Sequence, residues 1–121
     1  MCRKNNRKVG AFYKQIAAEY LSSLGYEILD KNFRNRNGEI DIVAKDNDYI
    51  VICEVKFRGD SAKGDPLEAI DFRKQRKLSF MAAYYLSVKG YGNDVPVRFD
   101  VVAIDGQKQV VHIKNAFDYC L

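Results

Sequence analysis

Apolar positions change period several times along the 121-residue chain, and each change predicts an element. From Val9 to Leu24, the side chains Tyr13, Ala17, Tyr20, Leu21 and Leu24 recur at helical spacing, and Gly25 follows as a C-terminal stop. Tyr26 to Phe33 reads as a strand. Glu39 to Ala44 and Tyr49 to Lys56 are rich in β-branched residues and flank Asp46-Asn47-Asp48, a hairpin signature. Asp65-Pro66-Leu67-Glu68 then reads as a helix start, with an acidic N-cap, Pro in the first turn and Glu at the capping-box position. That helix runs to about Val88, stops at Gly90, and carries Leu67, Ile70, Leu78, Met81 and Tyr85 as its apolar stripe. Val97 to Ile104, an Asp105-Gly106 turn and Val110 to Ile113 complete a second hairpin. The order αβββαββ predicts a single α/β domain over residues 1–121: a mixed β-sheet flanked by helices, with residues 1–8 as a flexible basic N-terminus.

Composition narrows the classes. Hydrophobic residues make up 47% of the chain, enough for a core without disulfides or a structural metal. A charged fraction of 30% with 12% aromatics argues against disorder. No apolar run approaches the roughly 20 residues that span a bilayer. The start, Met1-Cys2-Arg3-Lys4-Asn5-Asn6, leads into no signal-peptide stretch, so a cytoplasmic protein without a membrane partner is expected. Cys2, Cys53 and Cys120 form no CxxC pair, and the single His112 has no Cys nearby, so zinc spacing is absent. Cys53, inside an apolar run, reads as a small hydrophobe.

The net charge of +4 is unevenly spread: +5 over residues 1–37, −3 over 38–65, +3 over 66–89 and −1 over 90–121. Basic blocks on either side suit a polyanion, and an acidic centre suits a divalent cation. A mixed, solvated surface is the plain alternative.

Candidate chemistry lies in the first hairpin. With Asn47-Asp48 as a two-residue turn, Asp46 faces Tyr49, Val43 faces Ile52, Asp41 faces Glu54 and Glu39 faces Lys56. Alternation then puts Glu39, Asp41, Glu54 and Lys56 on one face, and Ile40, Ile42, Val51, Cys53 and Val55 on the other. Two carboxylates set across from each other repel, which makes sense around a cation such as Mg²⁺. A lysine beside them could orient or deprotonate an attacking water. The same residues also read as an ordinary Glu39–Lys56 cross-strand pair on a solvated sheet face.

Gly38-Glu39-Ile40-Asp41-Ile42-Val43, followed by Ile52-Cys53-Glu54-Val55-Lys56-Phe57-Arg58, resembles the paired motif of the YraN-like family. Those proteins are predicted endonucleases of the PD-(D/E)xK superfamily, similar to archaeal Holliday junction resolvases. The resemblance extends over nearly the whole chain, through Gly25-Tyr26-Glu27-Ile28-Leu29 leading to Asn32-Phe33-Arg34, Ala69-Ile70 ahead of Lys74, Arg98-Phe99-Asp100-Val101-Val102 and His112-Ile113-Lys114-Asn115-Ala116-Phe117. It implies a restriction-endonuclease-like core, with Asp41, Glu54 and the Val55 carbonyl as ligands of Mg²⁺ or Mn²⁺. It implies Lys56 as the catalytic lysine, Glu39 as a further member of the site, and Arg58 as a phosphate contact. A homodimer is typical of the resolvases it is similar to. The family's helix-one glutamate, in a GxxGExxA-like stretch, is replaced: Gly10-Ala11-Phe12-Tyr13-Lys14-Gln15-Ile16-Ala17 puts Lys14 there. Glu19 points away from Lys14 toward solvent and is a poor substitute. Lys14 is expected to pair with Asp41 or Glu54, leaving a site poor in metal.

On the second helix, Lys74 falls near the centre of the apolar stripe and is aimed at the sheet, while Arg73, Arg76 and Lys77 lie on the flank. Lys74 and Lys77, with Arg58, are the candidate nucleic-acid contacts; a solvated flank is the alternative for Lys77. Asp100 and His112 read as structural strand residues. The functional expectation is a metal-dependent nuclease-like protein acting on phosphodiester bonds of DNA, with branched or damaged DNA as candidate substrates. Two alternatives stand beside it: a nucleic-acid-binding domain of the same fold whose cleavage is weakened by Lys14, and a protein-interaction domain.

Overall fold

A computed structural model of the chain describes the backbone of residues 3–59, 70–92 and 94–120. The elements run α1 (Arg3–Ser23), β1 (Glu27–Asn35), β2 (Gly38–Asp46), β3 (Tyr49–Gly59), α2 (Phe72–Val88), β4 (Val97–Asp105) and β5 (Val110–Phe117). This is the αβββαββ order expected from the apolar pattern. The five strands form one mixed sheet in the order β1-β2-β3-β4-β5. β3 and β4 are parallel, and the other three pairs are antiparallel. A parallel pair needs a crossover, and α2 lies in it.

Several boundaries differ from the sequence reading. α1 begins at Arg3, so residues 3–8 continue the helix where a flexible basic arm was expected. Both helices end in the same way. Gly25, at φ +92°, donates to the Ser22 carbonyl at 3.0 Å, and Tyr26 donates to the Leu21 carbonyl at 3.1 Å. Gly90, at φ +80°, and Tyr91 repeat the pattern on Ser87 and Leu86. These are Schellman closures, which need the left-handed residue that glycine supplies. Leu24 lies past the last helical residue, Ser23, and is exposed, so it drops out of the stripe.

α2 starts later than the Asp65-Pro66 signal suggests. Residues 65–68 lie outside the described segments, but Ile70 is a bend and Asp71 is the N-cap. The Asp71 side chain accepts from the Lys74 N–H at 2.9 Å, closing the first turn. Ile70 is buried ahead of the helix, so its apolar character extended the stripe past the true start. The strands β1 and β5 run past Phe33 and Ile113, to Asn35 and Phe117. The β4–β5 connection is longer than Asp105-Gly106, because the Asp105 side chain accepts from both Gln107 and Gln109 N–H groups, at 2.8 and 2.9 Å.

Helices cover both faces of the sheet. Under α1, Ala17, Ala18 and Leu21 pack on Ile42, Val51, Cys53 and Val102. Under α2, Leu78, Met81, Ala82 and Tyr85 pack on Ile40, Val43, Ile50, Ile52 and Phe99. Burying one such side chain stabilises by about 1.5–3 kcal/mol, so the two clusters dominate the fold's stability. A polar cluster is buried with them. Asp100, nearly inaccessible, accepts from His112 at 2.7 Å, from Arg98 at 2.9 Å and from the Asn115 N–H at 3.0 Å. Burial alone would raise its pKa, but these donors hold it below the ordinary carboxylate value. Asp100 and His112 tie β4 to β5 through this buried contact. Cys53 is buried and Cys120 half-buried, both as free thiols. No described helix is long and apolar enough to cross a membrane.

Candidate functional site

The site forms where β2 and β3 stop pairing. Their ladder runs from Asp46↔Tyr49 to Ile42↔Cys53, the register expected from a two-residue Asn47-Asp48 turn. One step further, Asp41 leaves the ladder. Its carboxylate, not its backbone, meets β3 and accepts from the Val55 N–H at 2.8 Å. The alternation inverts at this step: Ile42 lies under α1, whereas Ile40 packs under α2. That corrects the parity argument, which put Ile40 and Ile42 on one face. The neighbouring strand inverts at the same level, where Asn32 adopts φ +56° between Lys31 and Phe33. Lys31 accordingly donates to Gln15 of α1, while Phe33 packs edge-on against Tyr85 of α2.

The divergence opens a notch of about 130 Å³ lined by Glu39, Asp41 and Glu54 from the strands and Lys74, Lys77 and Met81 from α2. Gly38 closes one wall. A Cβ there would stand 3.3 Å from Met81 Cγ, so α2 can sit this close only over a glycine or a shifted Met81. Asp41 and Glu54 are both buried. Burial, and then the charge of Asp41, push the Glu54 carboxyl up to about 7, although Lys74 works the other way. Lys74 Nζ lies 3.2 Å from Glu54 Oε2. From the opposite side Lys14 Nζ reaches Asn32 Oδ1 at 2.9 Å, Glu39 Oε2 at 3.1 Å and Asp41 Oδ1 at 3.4 Å. Burial opposes the Lys14 ammonium, but the charges of Asp41 and Glu39 outweigh it and raise its pKa. Three carboxylates thus meet two lysines from two helices, with Lys77 at the rim. Glu19 is exposed and hydrogen-bonded to Gln15, away from this cluster.

Two expectations change. Glu39 pairs with Lys14, not with Lys56 across the hairpin, because the β2–β3 ladder has ended before it. Lys56 does not line the notch, and among the described residues it joins no ion pair. No group of three or more His, Cys, Asp or Glu side chains among the described residues could hold a metal by itself. Arg58 is half-buried toward the end of β3 and has a polar or ring partner of its own. Asn32 belongs to a stretch that carries the resemblance but was given no role in the site; beyond that, its signal is that asparagine tolerates a left-handed backbone.

A profile of the uncharacterised protein family UPF0102 matches residues 13–104. A UPF0102 protein of Lachnoclostridium phytofermentans is 49% identical over 114 residues, covering 93% of this chain and 96% of its own length. Similar UPF0102 proteins occur in Thermodesulfovibrio yellowstonii, at 46% over 110 residues (91% of this chain, 96% of that protein), and in Clostridioides difficile, at 43% over 114 residues (93% and 99%). The matched segment includes the notch, from Lys14 through Lys77.

Proposed function

The chain belongs to the uncharacterised protein family UPF0102, and we propose from the geometry of the β2–β3 notch that it is a metal-dependent nuclease-like protein acting on phosphodiester bonds of DNA. The observation that carries this reading is the buried Asp41–Glu54 pair, whose mutual repulsion and desolvation raise Glu54 to about 7. Holding two carboxylates together away from water costs stability, even with Lys14 and Lys74 beside them. A hard divalent cation that takes one or two carboxylates, and completes its shell with water and phosphate oxygens, fits that donor set. Asp41 and Glu54 would hold Mg²⁺ or Mn²⁺, with the Val55 carbonyl as a further oxygen donor. When bound, the ion supplies a Lewis acid to a phosphoryl oxygen.

The chain's own cations complete the reading. Lys74 and Lys77 border the carboxylates and offer positive charge to a phosphate, and Arg58 extends β3 in the same segment. Lys56, two positions after Glu54 on β3, lies outside the notch and would have to turn toward it to orient an attacking water. The five-stranded mixed sheet with a helix on each face supports a restriction-endonuclease-like core. A cytoplasmic homodimer fits the resolvase resemblance. The Lys14 contacts favour a second reading, a DNA-binding domain of the same fold in which an ammonium takes part of the cation's place.

Cleavage of single-stranded, duplex, splayed and four-way-junction DNA, with Mg²⁺ or Mn²⁺ and a Glu54→Ala control, tests the proposal. Metal-dependent cleavage lost in Glu54→Ala is the expected result. Equal cleavage by the variant overturns it, and binding without any cleavage selects the second reading.

A further inference from the structure

Beside the notch lies a larger groove, of about 740 Å³, where the N-terminal half of α2 faces Asn37 of the β1–β2 turn and Cys120. Phe72, Arg73, Arg76, Lys77 and Phe80 line it, so its charged side chains are three cations and no acid. Phe72 is 64% and Phe80 47% exposed, and the Arg76 guanidinium lies 6.0 Å from the centre of the Phe72 ring. Phe72, Arg76, Phe80 and the exposed Tyr84 follow one another at four-residue spacing, so they form one ridge along the helix. Single exposed apolar residues need no explanation, but an aligned ridge of aromatics interleaved with cations does. Lys77 lines both this groove and the carboxylate notch, so the two adjoin at that residue.

We propose that this groove binds unpaired nucleotides, stacking bases on Phe72 and Phe80 and placing phosphates on Arg73, Arg76 and Lys77, so that the strand runs into the notch over Lys77. The proposal rests on the nuclease-like reading and names its substrate class: single-stranded or splayed DNA. The charge of the groove selects a polyanion. The rings select among polyanions, because a duplex keeps its base faces stacked inside, whereas an unpaired base offers a face to an aromatic side chain. Phe72 and Phe80 are two helical turns apart, about 12 Å, leaving room for nucleotides between the two platforms.

The test measures binding of a fluorescein-labelled oligothymidylate, and of a matched duplex, by anisotropy in chelator so that nothing is cut. Phe72→Ala and Phe80→Ala are each expected to weaken the single strand about tenfold and leave the duplex unchanged. Phe80→Trp is expected to keep the affinity. Since the chain has no tryptophan, the indole fluorescence of that variant reports the site alone and should be quenched as bases stack. The Phe80→Trp variant also decides the matter if an alanine variant melts early. Equal losses on both DNAs, indole fluorescence that stays unquenched in Phe80→Trp, or a wild-type preference for duplex overturns the groove. So does self-association that Phe72→Ala abolishes while DNA binding persists, which assigns the ridge to a second copy. Cleavage is scored separately. Wild-type cleavage with unchanged binding by the Phe variants removes the groove alone, whereas selective binding without any Glu54-dependent cleavage removes the nuclease reading alone.

Discussion

Lys14 Nζ lies 3.1 Å from Glu39 and 3.4 Å from Asp41, so one ammonium answers two carboxylates at the place a divalent cation would occupy. Two unit charges at about 4 Å interact by about 4 kcal/mol at an effective dielectric of 20, before desolvation is subtracted. A cation entering the notch must overcome that pairing and gains no oxygen from Lys14. Weak Mg²⁺ binding and low cleavage are therefore expected of the wild type, and Lys14→Glu should improve both, by about tenfold or more in affinity. Calorimetric titration checks the first, and unchanged affinity and rate in the variant would remove helix one from the site. Glu54 carries the pH dependence. Its folded carboxyl sits at about 7, against the ordinary 4.5, so the folded state holds a proton that the unfolded state releases across this window. Its contribution is thus intact below pH 4.5 and is lost as pH rises through 7. In chelator, Glu54→Gln should gain stability relative to wild type over that window, by roughly 2–3 kcal/mol. Urea melts at pH 5 and pH 8 would read it, and a constant difference would show that Glu54 is not desolvated.

At the scale of elements, α2 performs two jobs on two faces. Leu78, Met81, Ala82 and Tyr85 anchor it to the sheet, and this fixes Lys74 over Glu54. Its start matters for the same reason: the Asp71 cap orients the first turn, from which Lys74 projects. Asp71→Ala should cost about 1 kcal/mol of stability in chemical unfolding. It should also loosen Lys74 from Glu54, lowering affinity for DNA at low salt. A variant with wild-type stability would mean that the helix is set by its packing alone. The notch itself belongs to no single element. It exists because β2 and β3 part at Asp41 while two helices, on opposite faces of the sheet, each send a lysine toward the gap.

Across the whole molecule, charge is arranged by depth. Glu39, Asp41 and Glu54 lie in the notch, and the cations of α2 stand at its rim and along the adjoining groove. A polyanion approaching that side meets positive charge first. DNA affinity should then fall steeply with salt, with a log–log slope of about −0.9 for each phosphate neutralised. Lys77→Ala removes a cation that pairs with no acid among the ion pairs of the described residues, and should flatten that slope by about one. Lys74→Ala also frees Glu54 and should lower affinity further. A slope that Lys77→Ala leaves unaltered would take the rim out of the binding surface.

Much of this was legible from the residues alone. Period and turn chemistry, read locally, predicted the order αβββαββ, the Asn47-Asp48 turn and the glycine stops at Gly25 and Gly90. These are near-neighbour effects, set by backbone sterics and by which side chains alternate. Hairpin register placed Asp41 close to Glu54, whereas Lys14 on α1 was pointed out by the resemblance and by no local rule. What the sequence could not show was where the alternation fails. Asn32 turns left-handed on one strand and Asp41 leaves the ladder on the next, so Ile40 and Ile42 separate and Glu39 finds Lys14 instead of Lys56. Nor could a continuous apolar stripe tell an Asp65 start from an Asp71 cap. Both were decided by contacts between distant segments. The long-range packing of two helices on opposite faces of one sheet selects which local rule yields, and no pattern within a single strand or helix records that choice.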